Sequence, residues 1–335
     1  MRSLSCGVWK GHFLALWLGQ PLLILLLMAG PARAWRLWGE PSDKKIRPVQ
    51  ELADARKSAE VVAALTPDFM QTLRGTDLRQ AYVLKGDGLS ALGRVDEALG
   101  VYQLGVRLFP KNVDLLTRQG DVLHSTGLDE QARAFYLRAL IYEPRHFGAH
   151  LGLAEIDRRL GFFDRSASHY EIALETLEKR ADVWRSYAET LLAQRDWTTA
   201  ELAIARAISL DGQNADGHVL TAFARRAQGD LPGALAALDE AQARGAGVGA
   251  RRARALWLVE AGKPAEALAQ ADAVLKEVPG DGAALWARAR ALISLGRDSD
   301  ARRVLANLAD PARFDLAARA ARGLGSALAA PGDPR

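Results

Sequence analysis

The feature that most constrains this chain is a recurrence. Gly93, Gly127 and Gly161 stand 34 residues apart, and Arg195 occupies the next place in the same spacing. Gly229 follows after another 34 residues, Gly262 after 33 and Gly296 after 34. Other positions keep the same phase. Five residues beyond each of these places stands a small residue: Ala98, Ala132, Ser166, Ala200, Ala234, Ala267 and Ala301. Nine residues beyond come Tyr102, Tyr136, Tyr170, Ile204, Leu238, Ala271 and Leu305. A chain patterned in this way is a stack of one supersecondary unit, because a unit this short can bury its apolar side only against its neighbours.

The chemistry of the recurring positions specifies the unit as a helix hairpin. The recurring glycine ends the first helix, where a left-handed backbone is cheap only for Gly. The small residue lets two helices approach closely, and the bulky residue four places on lies on the same face and fills the gap between neighbours. Pro110, Pro144 and Pro279 each end a second helix. Pro232 and Pro264 fall instead at the first positions of second helices, where proline is tolerated. Alanine, leucine and arginine are abundant and β-branched residues sparse, which favours helix throughout.

This pattern resembles the tetratricopeptide repeat family. Tyr82, Gly86, Leu89, Gly93, Ala98, Tyr102 and Pro110 match the family pattern in one unit, and Gly120, Leu123, Gly127, Ala132, Tyr136, Ala139 and Pro144 in the next. Trp184 opens the fourth unit at the family's aromatic position, while Ala222 and Ala255 replace the early glycine and Ala271 the bulky residue later on. The resemblance covers Arg79–Arg313. It implies an all-α fold, a right-handed superhelical α-solenoid of about seven helix-turn-helix units with capping helices at both ends. It implies a scaffold or adaptor that binds protein partners and performs no catalysis.

The flanks divide the chain further. Residues 1–34 read as a signal peptide: a start bearing Arg2 and Lys10, an apolar run Phe13–Gly30, and Ala32-Arg33-Ala34 as a small-x-small cleavage site. The alternative is an uncleaved anchor, since 13–30 is near the lower length limit for spanning a bilayer. Either way the expected location is periplasmic or otherwise exported, or anchored to the inner membrane by residues 13–30. Residues 35–48 read as a polar linker and 49–78 as N-terminal capping helices, with one helical stretch over Val49–Leu65. The array follows at 79–313, and 314–335 reads as a C-terminal capping helix and tail.

Composition limits the function classes. The net charge of +4 falls close to neutral once Arg2, Lys10 and Arg33 are set aside, which argues against nucleic acid as partner. Cys6 is the one cysteine and lies in the leader, so thiolate metal sites and cysteine nucleophiles drop out of the mature chain. His146 and His150 have a helical metal-ligand spacing but no third ligand nearby in sequence, and read as structural. Gly245-Ala-Gly247-Val-Gly249 lacks the strand and the Lys-Ser/Thr ending of a phosphate loop and reads as a turn. No cofactor and no metal are expected.

In the family resembled, first helices line a concave inner surface. That implies partner-binding positions at Asp87, Asp114, Asp121, His124, Glu155, Arg158, Arg185, Phe223, Arg226, Arg252, Trp286 and Arg290. Their charge is uneven: Asp87, Asp114 and Asp121 come from the first two units, and Arg226, Arg252 and Arg290 from the last three, with Phe223 and Trp286 among them. Complementary charge would orient an extended partner segment and aromatic side chains would supply affinity. Family members that clamp a chain terminus use lysines and asparagines on first helices, whereas Val83 and Asp87 stand here. Two further readings remain open: an envelope glycan or peptidoglycan stacked on Phe223 and Trp286, and an accessory subunit of a secretion or synthase complex. Membrane contact is expected only if the leader stays attached.

Overall fold

The computed structural model describes residues 43–308, and every regular element among them is a helix. The chain divides between Phe135 and Tyr136 into two compact units. The first unit contains α1 (Asp43–Asp54), α2 (Ser58–Ala64), α3 (Pro67–Thr72), α4 (Gly75–Ala91), α5 (Val95–Leu108), α6 (Val113–Ser125) and the start of α7 (Asp129–Tyr142). The second continues through α8 (Phe147–Arg159), α9 (Phe163–Leu177), α10 (Ala181–Gln194), α11 (Trp197–Leu210) and α12 (Ala215–Ala227). It goes on with α13 (Leu231–Ala243), α14 (Val248–Glu260), α15 (Pro264–Glu277), α16 (Gly282–Ser294) and α17 (Asp298–Leu308).

Each hairpin turn is built as the recurrence requires. The residue at the recurring place has a positive φ in all seven cases: Gly93 72°, Gly127 81°, Gly161 81°, Arg195 66°, Gly229 87°, Gly262 70° and Gly296 68°. The next residue's N–H reaches back five residues to a helix carbonyl each time, as from Arg94 to Leu89 at 2.9 Å and from Asp196 to Leu191 at 3.0 Å. This closure satisfies carbonyls that the helix end would leave bare, and it needs the left-handed backbone. Arg195 adopts it without the freedom of glycine, at a cost of about 1–2 kcal/mol.

The small residue is wholly buried in every hairpin, Ala98, Ala132, Ser166, Ala200, Ala234, Ala267 and Ala301 all being 0% exposed. Ser166 keeps its hydroxyl there by donating to the Ala154 carbonyl at 2.8 Å. The residue four places on is buried as well, from Tyr102 to Leu305. The Tyr102 ring lies so close to Gly86 that a Cβ there would stand 2.3 Å from Cε1; Tyr136 approaches Gly152 similarly, at 2.2 Å from Cζ. Pro232 and Pro264 sit in the first turns of α13 and α15, as expected.

Three expectations need correction. Residues 43–48, read as the end of a linker, open α1 with Pro48 inside the helix. Its polar composition concealed an apolar stripe. Ile46 and Val49 pack with Val61, Leu65, Met70 and Leu73, and their burial outweighs the one backbone hydrogen bond that Pro48 cannot donate. The single stretch Val49–Leu65 is split into α1 and α2 by Arg56, whose φ is 57°. The Arg56 N–H bonds to the Ala53 carbonyl and the Lys57 N–H to the Leu52 carbonyl, closing α1 as the hairpin helices are closed. The first hairpin helix begins at Gly75 instead of Arg79. The leader, residues 35–42, residues 309–313 and the terminal helix expected at 314–335 lie outside the described residues. No described helix is long and apolar enough to cross a membrane.

Candidate partner-binding face

The first helix of each hairpin ends at the recurring turn, so side chains can be placed by counting back from it. Seven residues back the chain has only glycine or alanine: Gly86, Gly120, Ala154, Ala188, Ala222, Ala255 and Ala289. This position is buried against the rest of the hairpin. One step on, six residues before the turn, the row reads Asp87, Asp121, Glu155, Glu189, Phe223, Leu256 and Arg290. Adjacent positions on one helix therefore carry opposite demands. The first admits only the smallest side chains, and the second passes from carboxylate to phenyl to guanidinium.

The carboxylates of this row are built into the fold. In the first unit the Tyr102 hydroxyl donates to Asp87 Oδ1 at 2.6 Å, and Arg118 Nε stands 3.1 Å from the same carboxylate. Arg118 also reaches Asp121 Oδ2 at 3.5 Å. In the second unit the Tyr170 hydroxyl donates to Glu155 Oε1 at 2.5 Å, and Arg158 Nη2 to Glu155 Oε2 at 2.9 Å. Arg158 Nη1 reaches Glu189 Oε2 at 3.3 Å. Burial works against the charge of Glu155, but hydrogen bonds from Tyr170 and Arg158 outweigh it and hold its pKa below the ordinary carboxylate value. Both tyrosines are pushed upward, first by burial and then by the carboxylate beside them. Glu189 differs, because Ile204 stands where Tyr102 and Tyr170 stand in the other hairpins. Burial raises its pKa, and repulsion from Glu155 and Asp216 adds to the effect against the attraction of Arg158 and Arg185.

The remaining expected residues fall into three groups. Asp114 is exposed in the first turn of α6, and the His124 ring lies 2.8 Å from Asp129 Oδ1. Arg185 is 3.6 Å from Asp211, Arg226 is paired with Glu260, and Arg252 with the buried Asp281 that caps α16. Phe223 is 46% exposed and meets the buried Trp257 edge-on, ring centres 5.3 Å apart. Trp286 is half-buried against the core around Leu285 and Leu292. Arg290 is half-buried and forms no ion pair among the described residues. Of the arginines expected to meet a partner, Arg158, Arg185, Arg226 and Arg252 are thus tied to acids of this chain, and Arg290 is not.

Sequence reasoning missed a buried polar chain in α8 and α9. His150 Nε2 lies 2.9 Å from the Pro144 carbonyl, and His150 Nδ1 lies 2.9 Å from His169 Nδ1. The wholly buried Asp157 carboxylate is 3.5 Å from Arg165 Nε and 3.9 Å from His169 Nε2. A carbonyl only accepts, so His150 donates to it from Nε2. The 19-residue separation of the two histidines hid the pair. His146, the other half of the metal-like spacing, caps α8 by accepting the Ala149 N–H at its Nδ1, 3.2 Å away. No group of three or more His, Cys, Asp or Glu among the described residues is arranged to hold a metal ion. A cleft of about 380 Å³ between α15, α16 and α17 is lined by Asp272, Arg288, Arg297, Asp300 and Arg303. Those charges pair with one another, Arg288 with Asp272 at 2.9 Å and Arg297 with Asp300 at 2.6 Å.

Comparison with known proteins agrees with this geometry. Models of the tetratricopeptide repeat match residues 83–149, 151–215, 188–249 and 258–324. Human tetratricopeptide repeat protein 7B is 25% identical over 137 residues, 41% of this chain, and the match spans only 16% of that protein's length. The crystal structure of a tetratricopeptide repeat protein from Parabacteroides merdae superposes with a TM-score of 0.55 at 14% identity, covering 75% of this chain and 98% of that one. Proteins of this kind generally mediate protein–protein interaction. With well over half of its length matched by the repeat models, the chain belongs to the tetratricopeptide repeat family.

Proposed function

We propose that this chain is a non-catalytic scaffold that holds partner proteins on the first-helix side of its hairpins, and that it does so outside the cytoplasm in a bacterial envelope assembly. One observation carries the binding reading: the position six residues before each turn varies from carboxylate to phenyl to guanidinium, while the position beside it stays glycine or alanine. The fold uses the invariant position for packing and leaves the variable one to differ from hairpin to hairpin. A scaffold needs that freedom, because binding energy concentrates in a few anchors set among weaker contacts. Support for export comes from residues 1–34, with their charged start, apolar run and Ala32-Arg33-Ala34.

The test is affinity purification of the tagged full chain from its own cell envelope after mild cross-linking, with the mass of the recovered complex measured. A stoichiometric protein partner is the expected result. A chain that is recovered alone at every cross-linker dose refutes the scaffold reading. N-terminal sequencing of the same material is expected to begin at Trp35. A chain recovered in the cytoplasm with Met1 in place refutes export.

A further inference from the structure

Resting on that scaffold reading, we propose that the partner-binding region is confined to the last three hairpins, and that it takes an apolar segment of a partner protein bearing a carboxylate. The first helices of these hairpins are α12, α14 and α16. Together they carry seven arginines and two acids, Asp216 and Glu260. Six of these arginines are already engaged within the chain. Arg226 pairs with Glu260, Arg251 with Glu277, Arg252 with Asp281, Arg254 with Asp239 and Arg288 with Asp272. Arg225 donates to the Gly233 carbonyl at 3.3 Å. Arg290 is the one arginine of this set whose side chain has neither an ion pair nor a hydrogen bond within the described residues, and it occupies the variable position of the last hairpin.

The two places before Arg290 in its row are apolar. Phe223 and Leu256 precede it in the same row, and Phe223 is nearly half exposed although it touches Trp257. Val219, Leu256 and Val259 are only partly buried, and all three pack on one core beneath. Trp286, one turn before Arg290 on α16, is half-buried on the neighbouring core. The Phe223–Trp257 contact and the Arg226–Glu260 pair bind α12 to α14, and the Arg252–Asp281 pair binds α14 to the start of α16. The result is an apolar strip with a guanidinium at one end. In the preceding hairpins the variable position instead carries acids, and those acids are tied to tyrosines and arginines. Charge complementarity then specifies the occupant: apolar side chains for the strip and a carboxylate for Arg290, whose fork geometry suits that group.

The test pans a random peptide display library against the full chain. A synthetic copy of the dominant selected peptide is then titrated against variants. Expected are peptides that join apolar residues to Asp or Glu, with affinity reduced about tenfold by Phe223→Ala and by Arg290→Glu, as for anchors at an interface centre. Glu130→Lys, on an exposed residue of the second helix α7, should leave affinity within a factor of two of wild type (about the spread of a neutral surface change). Circular dichroism and melting of each variant establish that it folds; Phe223→Leu and Arg290→Gln serve where the first pair does not. Selected peptides that bind equally to the Phe223 and Arg290 variants, or that lose binding only in Glu130→Lys, overturn this inference and leave the scaffold reading standing. A folded bait that enriches no peptide from the library overturns both.

Discussion

Removing the Tyr170 hydroxyl isolates the interaction that ties one hairpin's helices together. Tyr170→Phe keeps the ring, which is fully buried, and deletes only the donor to Glu155 Oε1. A hydrogen bond to a charged group contributes about 1.5–3 kcal/mol net. Glu155 keeps its contacts from Arg158, and its side chain is 27% exposed, so water compensates part of the loss. The expected cost is therefore at the lower end, about 1.5 kcal/mol. Glu155→Gln should cost a similar amount, because it weakens the bonds to both Tyr170 and Arg158. The double variant should then be less destabilised than the two single variants added together, with a coupling of about 1 kcal/mol. Urea unfolding followed at Trp184 reports on this part of the array, because its ring lies 6.2 Å from that of Tyr187 in the same helix, α10, and Tyr187 lies 6.1 Å from Tyr170. Following a nearby probe matters because long repeat arrays do not unfold as one cooperative block. Additive losses, or a Tyr170→Phe variant within about 0.3 kcal/mol of wild type, would show that the ring alone holds the helices and that the hydroxyl–carboxylate bond contributes nothing.

The same geometry yields further outcomes. Arg195→Gly should stabilise the protein by about 0.5–1 kcal/mol, since it relieves a left-handed backbone but adds freedom to the unfolded chain; a fall in the urea midpoint refutes it. Gly86→Ala should cost about 1–3 kcal/mol by driving a methyl group into the Tyr102 ring, and Tyr102→Leu in the same chain should recover part of that loss; equal costs in both backgrounds would remove the steric explanation. The Glu155 carboxylate, held below its ordinary pKa, should contribute stability above the unfolded carboxylate range and lose it as pH falls through its folded pKa. Glu189 has the opposite sign: its raised pKa makes its charge unfavourable at neutral pH and relieved on acidification. Glu189→Gln should therefore be neutral or stabilising near pH 7, with the advantage fading as pH falls through the folded pKa of Glu189. A Glu189→Gln variant that is less stable than wild type at neutral pH contradicts this.

Much of the fold was legible because the positions that build it tolerate so few residues. A left-handed turn, a close helix approach and a buried filler each restrict the choice at one place, and repetition multiplies the signal until even Arg195 can be placed by register alone. Legibility failed where tertiary contacts decide. Nothing local marks Ile46 and Val49 as buried, and the prolines and charges around them read as linker until the helices they pack on are in place. The site was legible only as a face. Which of its charges face outward depends on partners far away in sequence: Glu260 lies 34 residues from Arg226, and Asp281 lies 29 from Arg252. The His150–His169 pair was hidden for the same reason.

The tyrosine nine residues after a turn and the acid six residues before it behave as a linked choice. Tyr102 holds Asp87 and Tyr170 holds Glu155, each across 15 residues. Where the filler becomes Leu238, Ala271 or Leu305, no hydroxyl is available there, and the variable position carries Phe223, Leu256 or Arg290. The fourth hairpin is the step between these regimes. It keeps an acid, Glu189, after losing the tyrosine to Ile204, and that acid is the one whose charge its surroundings disfavour. A buried hydroxyl thus fixes what its partner position can be, since a phenyl or guanidinium there would leave the donor unsatisfied at a cost of about 1–3 kcal/mol. Replacing the tyrosine by an aliphatic side chain removes that constraint. Freedom to present an apolar strip on the later hairpins accordingly begins in the core, with the absence of the tyrosine hydroxyl from each of those units, and only then appears on the surface.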